Sequence, residues 1–405
     1  MSFGLFLAEV NGAIHAHDPA LGALLAIRGG ELGRFARDAR AVAGAEAEIA
    51  RAIKDKTKTW PELVRLCWRA AAVCAAGAAL GARYDAVAAV AQEANRLLSK
   101  HDRWLLPLLY MALRELLAAA AAADAAAAAA GAPADRLSEA ARIINRSVTV
   151  CLNDRSADLE RSRKWGVYYV ISVLFKVYFR LGTLSLATSL LRVLHTSAAE
   201  MPPLDAYPKA DQTTFRFYVG VLAFMDEDYD RADDNLSRAL DTCHRAARRN
   251  QELVLTYLLP LRLLRARAYP SKAVWATFPQ LAYLYRALFI SARRGDIRTF
   301  EAALAEREHA LVRRRLYITV TKIRNTIARP RLFEQVYLAL GRATRIPVSA
   351  FRRGLEFVGV DVADDQVECW LAVAIYQGNM KGYISRERNM VVLSSTDAFP
   401  RRARA

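Results

Sequence analysis

The residues best suited to chemistry in this sequence are basic side chains gathered in its last third. An arginine triplet is followed by arginines and lysines that would project from helices and from a β-hairpin. Such groups contact phosphates, which gives affinity that depends on salt and is largely blind to base sequence. The residues predicted to contact an RNA or DNA backbone are Arg313, Arg314, Arg315, Lys322, Arg324, Arg331, Arg342, Arg345, Arg352, Arg353, Lys381, Arg386 and Arg388.

The charge of the 405-residue chain agrees with this prediction. Its 58 lysines and arginines exceed its 41 acidic residues, and residues 281–405 carry more than half of the formal net charge of +17. Such a field attracts phosphate backbones, acidic peptides or anionic lipid, and it raises encounter rates without choosing among them. Solubility alone is the alternative explanation.

Two clusters of possible metal ligands lack the residues that a metal site requires. The run 226–230 resembles the first half of a calcium loop, but Arg231 stands where glycine is needed and Ser237 where glutamate is needed. A solvated turn between two helices is the better interpretation. His15 and His17 have no third ligand cluster at a recognisable spacing. We therefore expect no metal site.

Signatures of common enzymes are missing from the sequence. It contains no dinucleotide or phosphate-loop glycine motif, no H-E-x-x-H and no G-x-S-x-G. We expect a non-catalytic protein without a cofactor. An enzyme with an unrecognised site stays open as an alternative, because convergent polar groups in a pocket cannot be identified from sequence.

Composition and termini suggest an ordered protein of a reducing compartment. Apolar residues make up 54% of the chain and charged residues 24%, and the five cysteines form no C-x-x-C pair. No basic residue precedes Arg28, so the N-terminus does not resemble a secretory signal. The apolar run 104–131 is interrupted by charged residues, and we predict no membrane insertion.

Periodicity predicts an all-α helical-repeat solenoid followed by a winged helix. Residues 1–145 are alanine-rich, with a tract at 118–130 that predicts a helix or a helix followed by a linker. Residues 146–325 contain a weak tetratricopeptide-like repeat at an offset of 45 residues. Residues 326–398 read as three short helices and a hairpin, which is the plan of a winged helix. In the repeat, Ala187, Leu191 and Leu194 correspond to Ala232, Leu236 and Ala239.

The winged-helix segment supports three further predictions. Asp364 and Asp365 are candidate N-caps of its third helix, and Trp370 and Tyr376 are expected to be buried in the small domain. Because these aspartates and Glu368 repel a phosphate backbone, nucleic acid should follow the wing and the upstream basic helices. Core packing is also predicted for Trp165, Tyr168, Tyr169, Phe175, Tyr178 and Phe179.

Three stretches of the chain resemble the PCI family. They are 164–194, 215–264 and 367–385, and the most specific motifs are Tyr257 to Pro260 and Gly378 to Ser385. The similarity is greatest to the branch of PCI domain-containing protein 2, the Thp-type mRNA-export factor and the signalosome-subunit-twelve-like proteins. It covers roughly residues 150–400, with the PCI domain at about 210–398 and no comparable likeness in the first 145 residues.

The resemblance implies a subunit of a nuclear-pore-associated complex that couples transcription to mRNA export. Its implied partners are a larger PCI scaffold of the Sac or germinal-centre-associated type and a small acidic peptide of the deleted-in-split-hand group. A nuclear location is expected, and a cytoplasmic one is left open. Charge complementarity places the acidic peptide near Arg248, Arg249, Arg262 and Arg265.

A second function is compatible with the same fold, namely a PCI subunit of a proteasome-lid or signalosome-type assembly. The chains of those assemblies continue past the winged helix into a long bundle helix, whereas twelve residues follow Leu393 here. The sequence therefore favours the export reading.

Overall fold

The computed structural model describes residues 2–38, 44–54 and 59–400. The chain divides into two compact units, residues 1–218 and 219–405. The boundary falls inside one helix, Lys209–Met225, and each unit is described by itself.

The N-terminal unit consists of helices in sequential contact. Helix Leu80–Leu98 packs against Thr59–Ala75 and Leu106–Ala129, and Arg136–Leu152 packs against Leu106–Ala129 and Val167–Leu181. The described helices of this unit are α1 (Phe3–Ala16), α2 (Leu21–Leu24), α3 (Glu31–Phe35), α4 (Ala45–Ala52), α5 (Thr59–Ala75), α6 (Leu80–Leu98), α7 (Leu106–Ala129), α8 (Arg136–Leu152), α9 (Val167–Leu181), α10 (Leu184–Ser197) and the first part of α11 (Lys209–Met225).

The alanine tract belongs to helix α7. Of the two predicted alternatives, a helix and a helix followed by a linker, the first describes the tract. Asp124, which interrupts the tract, is buried and accepts hydrogen bonds from the backbone N–H groups of Arg136 and Leu137, both at 2.9 Å. This carboxylate thus satisfies N–H groups that the first turn of α8 leaves without a partner. By length and composition, Arg103–Ala129 would suffice to cross a membrane, but 56% of its most apolar window is buried inside the protein.

Three of the six aromatic residues predicted to form core are buried, and all three lie on α9. Phe175 is fully buried, and Tyr168 and Tyr178 are at most 9% exposed. The ring of Tyr168 meets the ring of Phe215 edge-on, with centroids 4.7 Å apart. Trp165, Tyr169 and Phe179 are half-buried. These rings are therefore unavailable as a continuous platform for stacking bases.

The C-terminal unit begins with repeat-like helices. Its helices before the winged helix are the remainder of α11, α12 (Tyr229–Thr242), α13 (Arg248–Ala266), α14 (Lys272–Thr277), α15 (Pro279–Arg294), α16 (Ile297–Arg313) and α17 (Tyr317–Ile323). A π-helical turn, Arg324–Ala328, joins α17 to α18 (Arg329–Ala339).

Close packing of α11 against α12 agrees with the repeat pattern. A Cβ atom on Gly220 would lie 2.7 Å from Cγ of Leu236. Ala232, Leu236 and Ala239 are all fully buried on the facing helix. A small residue is required at position 220 because the two helices approach within van der Waals contact there.

The winged helix has the predicted three helices and hairpin, with one additional strand. Helix α18 leads to β1 (Arg345–Pro347), α19 (Val348–Phe357) and α20 (Asp364–Tyr376), and the hairpin consists of β2 (Gly382–Ser385) and β3 (Met390–Leu393). The strands form an antiparallel sheet in the order β1-β3-β2. Strand β1, which the sequence analysis did not predict, holds the sheet against the helices.

The core of the winged helix is formed by its helices and sheet together. Phe333 of α18 and Phe351 of α19 are fully buried, and their rings meet edge-on at 5.5 Å. Ile346 and Val391, which face each other across β1 and β3, are also fully buried. The predicted fold class, a helical-repeat solenoid with a C-terminal winged helix, is confirmed.

Candidate nucleic-acid interface

Four arginines of the winged helix are exposed and available to a phosphate. Arg342 follows α18 in a left-handed conformation with φ of 63°, and Arg345 begins the edge strand β1. Arg353 lies on the solvent side of α19, and Arg388 lies in the turn between β2 and β3. Within the described residues, none of the four has a carboxylate within 4.0 Å. We call this set the unpaired winged-helix arginines.

Six other predicted contact residues are held by carboxylates of the protein itself. Such a pair must open, or tolerate a third charge, before the cation can bind a phosphate. The pairs are Lys322 with Glu227 at 2.5 Å, Arg324 with Glu301 at 2.7 Å, Arg331 with Glu334, Arg352 with Glu356 at 3.2 Å and with Asp364 at 3.3 Å, Lys381 with Asp397 at 2.7 Å, and Arg386 with Glu368 at 3.6 Å.

The arginine triplet lies at the end of α16. Arg313 is the last helical residue, and Arg314 donates from Nη1 to the carbonyl of Ala310 at 3.0 Å. Arg315 is exposed and has a φ of 59°. Cations are favourable beside the negative end of a helix, so this cluster has a structural role besides any contact with a ligand.

The third helix of the winged helix, α20, differs from its sequence-based description in one respect. Ala363 occupies the N-cap position, and Asp364 and Asp365 fall inside the first turn. The prediction of N-caps was therefore wrong, although carboxylates remain favourable there because of the helix dipole. Arg386 of the wing lies 3.6 Å from Glu368, and this acidic helix face is unsuited to entering a groove lined by phosphates.

Tyr376 is 93% exposed, so the prediction that it is buried was wrong. The buried stripe of α20 runs through Val367, Leu371 and Ala374. At about 100° per residue, position 376 points roughly opposite to that stripe. The spacing of the apolar residues along the helix was therefore sufficient to predict that Tyr376 is exposed.

Trp370 is half-buried and is covered by a cation. The guanidinium of Arg329 lies 3.6 Å from the centroid of the indole ring. Burial lowers the pKa of Arg329 to about 10, and the neighbouring Arg324 adds to that effect. Arg329 therefore belongs to the packing between α18 and α20.

The arginines predicted to bind an acidic partner separate into two pairs. Arg262 lies 3.5 Å from a carboxylate oxygen of Asp233, and Arg265 pairs with Asp230 and, at 3.6 Å, with Asp233. Arg248 and Arg249 are exposed in the first turn of α13.

The acidic turn before α12 is built as a helix start. Asp228 accepts a hydrogen bond from the backbone N–H of Arg231 at 3.2 Å and thereby caps the helix. His17, the other metal candidate, stacks on Trp104 with centroids 4.9 Å apart. Among the described residues, no three histidine, cysteine or carboxylate side chains come together in a way that could hold a metal ion.

Sequence reasoning missed an exposed aromatic surface on the winged helix. Phe357, at the end of α19, is 85% exposed, and Tyr383 of β2 is 62% exposed. Together with Tyr376 these side chains leave large apolar areas in water. Exposed aromatic side chains of this size are candidates for contact with another molecule.

Comparison with known proteins agrees with this architecture. Residues 298–395 match the family model described as PCI domain. A protein of Yarrowia lipolytica named "Protein CSN12 homolog" is 38% identical over 322 residues, which are 79% of this chain and 81% of that protein. The chain belongs to the PCI family. Its narrower resemblance is also confirmed, since "PCI domain-containing protein 2" of Xenopus laevis is 31% identical over 304 residues, 74% of each chain.

A third relative carries a different name. "COP9 signalosome complex subunit 12" of Eremothecium gossypii is 32% identical over 334 residues, which are 77% of this chain and 81% of that protein. Four further fungal proteins named "Protein CSN12 homolog" are spanned by this chain over 59–62% of their length. The protein is therefore a scaffold-type PCI protein, and one of these relatives is named as a signalosome subunit.

Proposed function

We propose that this protein is a non-catalytic adaptor of a nuclear, pore-associated complex that couples transcription to mRNA export. The observation that carries the proposal is the set of unpaired winged-helix arginines, Arg342, Arg345, Arg353 and Arg388. Their guanidinium groups face solvent on a PCI-family winged helix and have no carboxylate of the described structure to neutralise them. A polyanion gains more from such groups than from arginines that are already paired.

The proposed contact with RNA is made to the backbone. Arg345 on the edge strand and Arg388 in the wing turn lie on one sheet, and Arg353 lies on the helix that follows β1. Guanidinium groups on a sheet and a helix can follow phosphates without reading bases. The acidic first turn of α20 keeps the backbone away from that helix. The expected binding is therefore salt-dependent and tolerant of sequence.

The partner proteins are proposed to bind other surfaces. A larger PCI scaffold would cover the exposed aromatic rings of Phe357, Tyr376 and Tyr383, because burial of aromatic area is a main contribution to protein interfaces. A small acidic peptide would begin at Arg248 and Arg249, since Arg262 and Arg265 are occupied by aspartates of α12. This narrows the surface predicted from charge alone.

A second candidate function is membership of a signalosome-type assembly. The observation that favours it is the 32% identity to a protein named "COP9 signalosome complex subunit 12". Both functions use the PCI fold as a scaffold, and they differ in which partners are recovered and in whether RNA accompanies them.

Affinity purification of the tagged protein from its own cells tests the proposal. Recovery of a large PCI scaffold and a small acidic peptide, with RNA that is lost at moderate salt, is expected. A variant with Phe357→Ser and Tyr376→Ser should lose the scaffold but retain RNA. Recovery of signalosome subunits without RNA would refute the export function and support the second candidate.

A further inference from the structure

A cavity of about 830 Å3 lies inside the C-terminal unit, where the repeat helices adjoin the winged helix. Arg267 follows the end of α13, Arg293 comes from α15, and Arg331 comes from α18. Tyr269 and Phe399 add aromatic surface to the lining. We call this site the arginine cavity. Three basic side chains from separate helical segments therefore line one cavity that is open to solvent on one side.

One of the three guanidinium groups lies against a lining aromatic ring. Arg293 lies over the ring of Tyr269, 5.4 Å from its centroid. Burial raises the pKa of the Tyr269 phenol, and the positive charges of Arg267, Arg293 and Arg331 each oppose that rise. All three arginines line the same cavity as Tyr269.

The lining of the arginine cavity is unbalanced in charge. Glu334, which pairs with Arg331, is the single carboxylate among the described lining residues. The described lining therefore carries more positive than negative side chains, which makes the local potential positive. An anion is attracted by this potential, so the site favours a negatively charged occupant.

The cavity is built on a fixed frame. Arg267 has a left-handed conformation, with φ of 53°, and closes α13 as its C-terminal cap. Its Nη2 donates to the carbonyl of Thr326 at 2.7 Å and to Oδ1 of Asn379 at 3.2 Å. These bonds attach a repeat helix to the π-helical turn and to the segment after α20. A site held from several elements is already ordered before a ligand arrives.

We propose that the arginine cavity binds a small phosphate-bearing molecule through Arg267 and Arg293, and that Arg331 joins them once its pair with Glu334 opens. Guanidinium forks match the oxygens of phosphate, which accepts several charge-assisted hydrogen bonds at once. The volume is within the range of about 300–1,000 Å3 that is typical of small-molecule sites. Tyr269 and Phe399 provide the apolar wall that the remainder of such a molecule requires. This site is separate from the unpaired winged-helix arginines and does not depend on the proposed function in mRNA export.

Isothermal titration calorimetry on the full chain tests the proposal with pyrophosphate, ADP and adenosine. Pyrophosphate and ADP should bind, and adenosine, which lacks phosphate, should not. Tighter binding of ADP than of pyrophosphate would show that the nucleoside part contacts the cavity, and equal binding would show that phosphate alone is recognised. Absence of binding by both phosphate probes at millimolar concentration would overturn the proposal.

Arg293 is the position to vary, because it is exposed and its replacement leaves the bonds of Arg267 intact. Arg293→Gln should weaken pyrophosphate binding at least about tenfold, and Arg293→Lys should weaken it less, because lysine keeps the charge but loses the fork. Arg388→Gln removes the same charge from the wing and should leave pyrophosphate binding unchanged. Equal losses in the Arg293 and Arg388 variants would mean nonspecific attraction and would contradict the site.

A competition experiment separates the cavity from the RNA surface. Saturating pyrophosphate should leave RNA affinity unchanged once ionic strength is matched, and Arg293→Gln should bind RNA as the natural protein does. Displacement of pyrophosphate by RNA or by an acidic peptide would overturn the assignment of a small ligand. If the protein binds pyrophosphate but does not bind RNA, the proposed function is refuted and the phosphate site in the arginine cavity stands.

Discussion

The arginines of the repeat helices and those of the winged helix look alike in sequence but differ in their surroundings. Arg262 and Arg265 lie beside aspartates of α12, whereas Arg353 and Arg388 have no such neighbour in the described structure. A cation already paired within the protein offers little to a new anion, because binding must first compete with the internal carboxylate. Local pairing, more than the number of positive charges, therefore determines which surface can hold a polyanion.

The comparison extends to a buried pair in the N-terminal unit. Asp154 is 7% exposed and accepts hydrogen bonds from Nη2 of Arg163 at 2.7 Å, from its backbone N–H at 2.8 Å and from Oγ of Ser162 at 2.8 Å. Burial by itself would raise the pKa of Asp154, but these hydrogen bonds outweigh it and lower the pKa to about 2. Of the charged pairs compared, Asp154 and Arg163 are the most completely buried, and their role is structural.

Asp154→Asn is expected to have the largest effect, a loss of about 2–4 kcal/mol in the free energy of unfolding at pH 7. The reason is that Arg163 remains half-buried without a carboxylate to pair with. Chemical unfolding measures it. The native pKa is depressed, so the contribution is fully present above the unfolded pKa of about 3.9 and is lost as pH falls towards 2. The difference between variant and natural protein should shrink over that interval.

Asp158→Asn provides the control for this prediction. Asp158 lies in the same loop, is exposed and caps only the N–H of Glu160, at 2.9 Å. Its replacement should change the free energy of unfolding by less than about 1 kcal/mol. Equal losses in the two variants would mean that the Arg163 pair contributes nothing specific.

Adjacent arginines on α19 offer a smaller and sharper test. Arg352 pairs with Glu356 and Asp364, whereas Arg353 is exposed among the unpaired winged-helix arginines. Arg353→Gln should weaken binding of single-stranded RNA about two- to fivefold and reduce the salt slope by about 0.7. Arg352→Gln should leave both unchanged. Fluorescence anisotropy at several salt concentrations measures the difference, and the reverse result would contradict the role of pairing.

The smallest effect is expected from releasing the repeat arginines. Asp230→Asn combined with Asp233→Asn frees Arg262 and Arg265 and should lower the free energy of unfolding by less than about 1 kcal/mol, since exposed pairs contribute little. Binding of a glutamate-rich peptide should tighten about two- to threefold, because two more cations become available. Calorimetry measures the binding. Weaker peptide binding in the double variant would contradict the assignment of these aspartates as internal competitors.

The sequence predicted the wing well because several local signals agreed there. The stretches GYIS at 382–385 and MVVL at 390–393 flank a polar turn, and both strands have the predicted bounds. Strand β1 was missed because Arg345–Pro347 is three residues long, too short for any periodicity, and ends in proline. A proline is tolerated there because β1 is an edge strand.

Pairing could be predicted only where partners are close in sequence. Arg352 and Glu356 are four residues apart on one helix, so that pair follows from helical geometry. Lys322 of α17 pairs with Glu227 in the turn before α12, and Arg324 of the π-helical turn pairs with Glu301 of α16. Such partners depend on tertiary packing, which one sequence does not display. The same reason explains why the arginine cavity was not foreseen.

The most direct test of the account is the dependence of RNA affinity on salt in two charge-matched variants. One replaces Arg342, Arg345, Arg353 and Arg388 with glutamine, and the other replaces the paired residues Lys322, Arg324, Arg352 and Lys381. With single-stranded RNA, the first variant should lower the slope of log affinity against log salt by about 3 units, and the second should leave the slope nearly unchanged. Equal reductions in both variants would show that total charge, and not local pairing, determines binding, and would contradict the account.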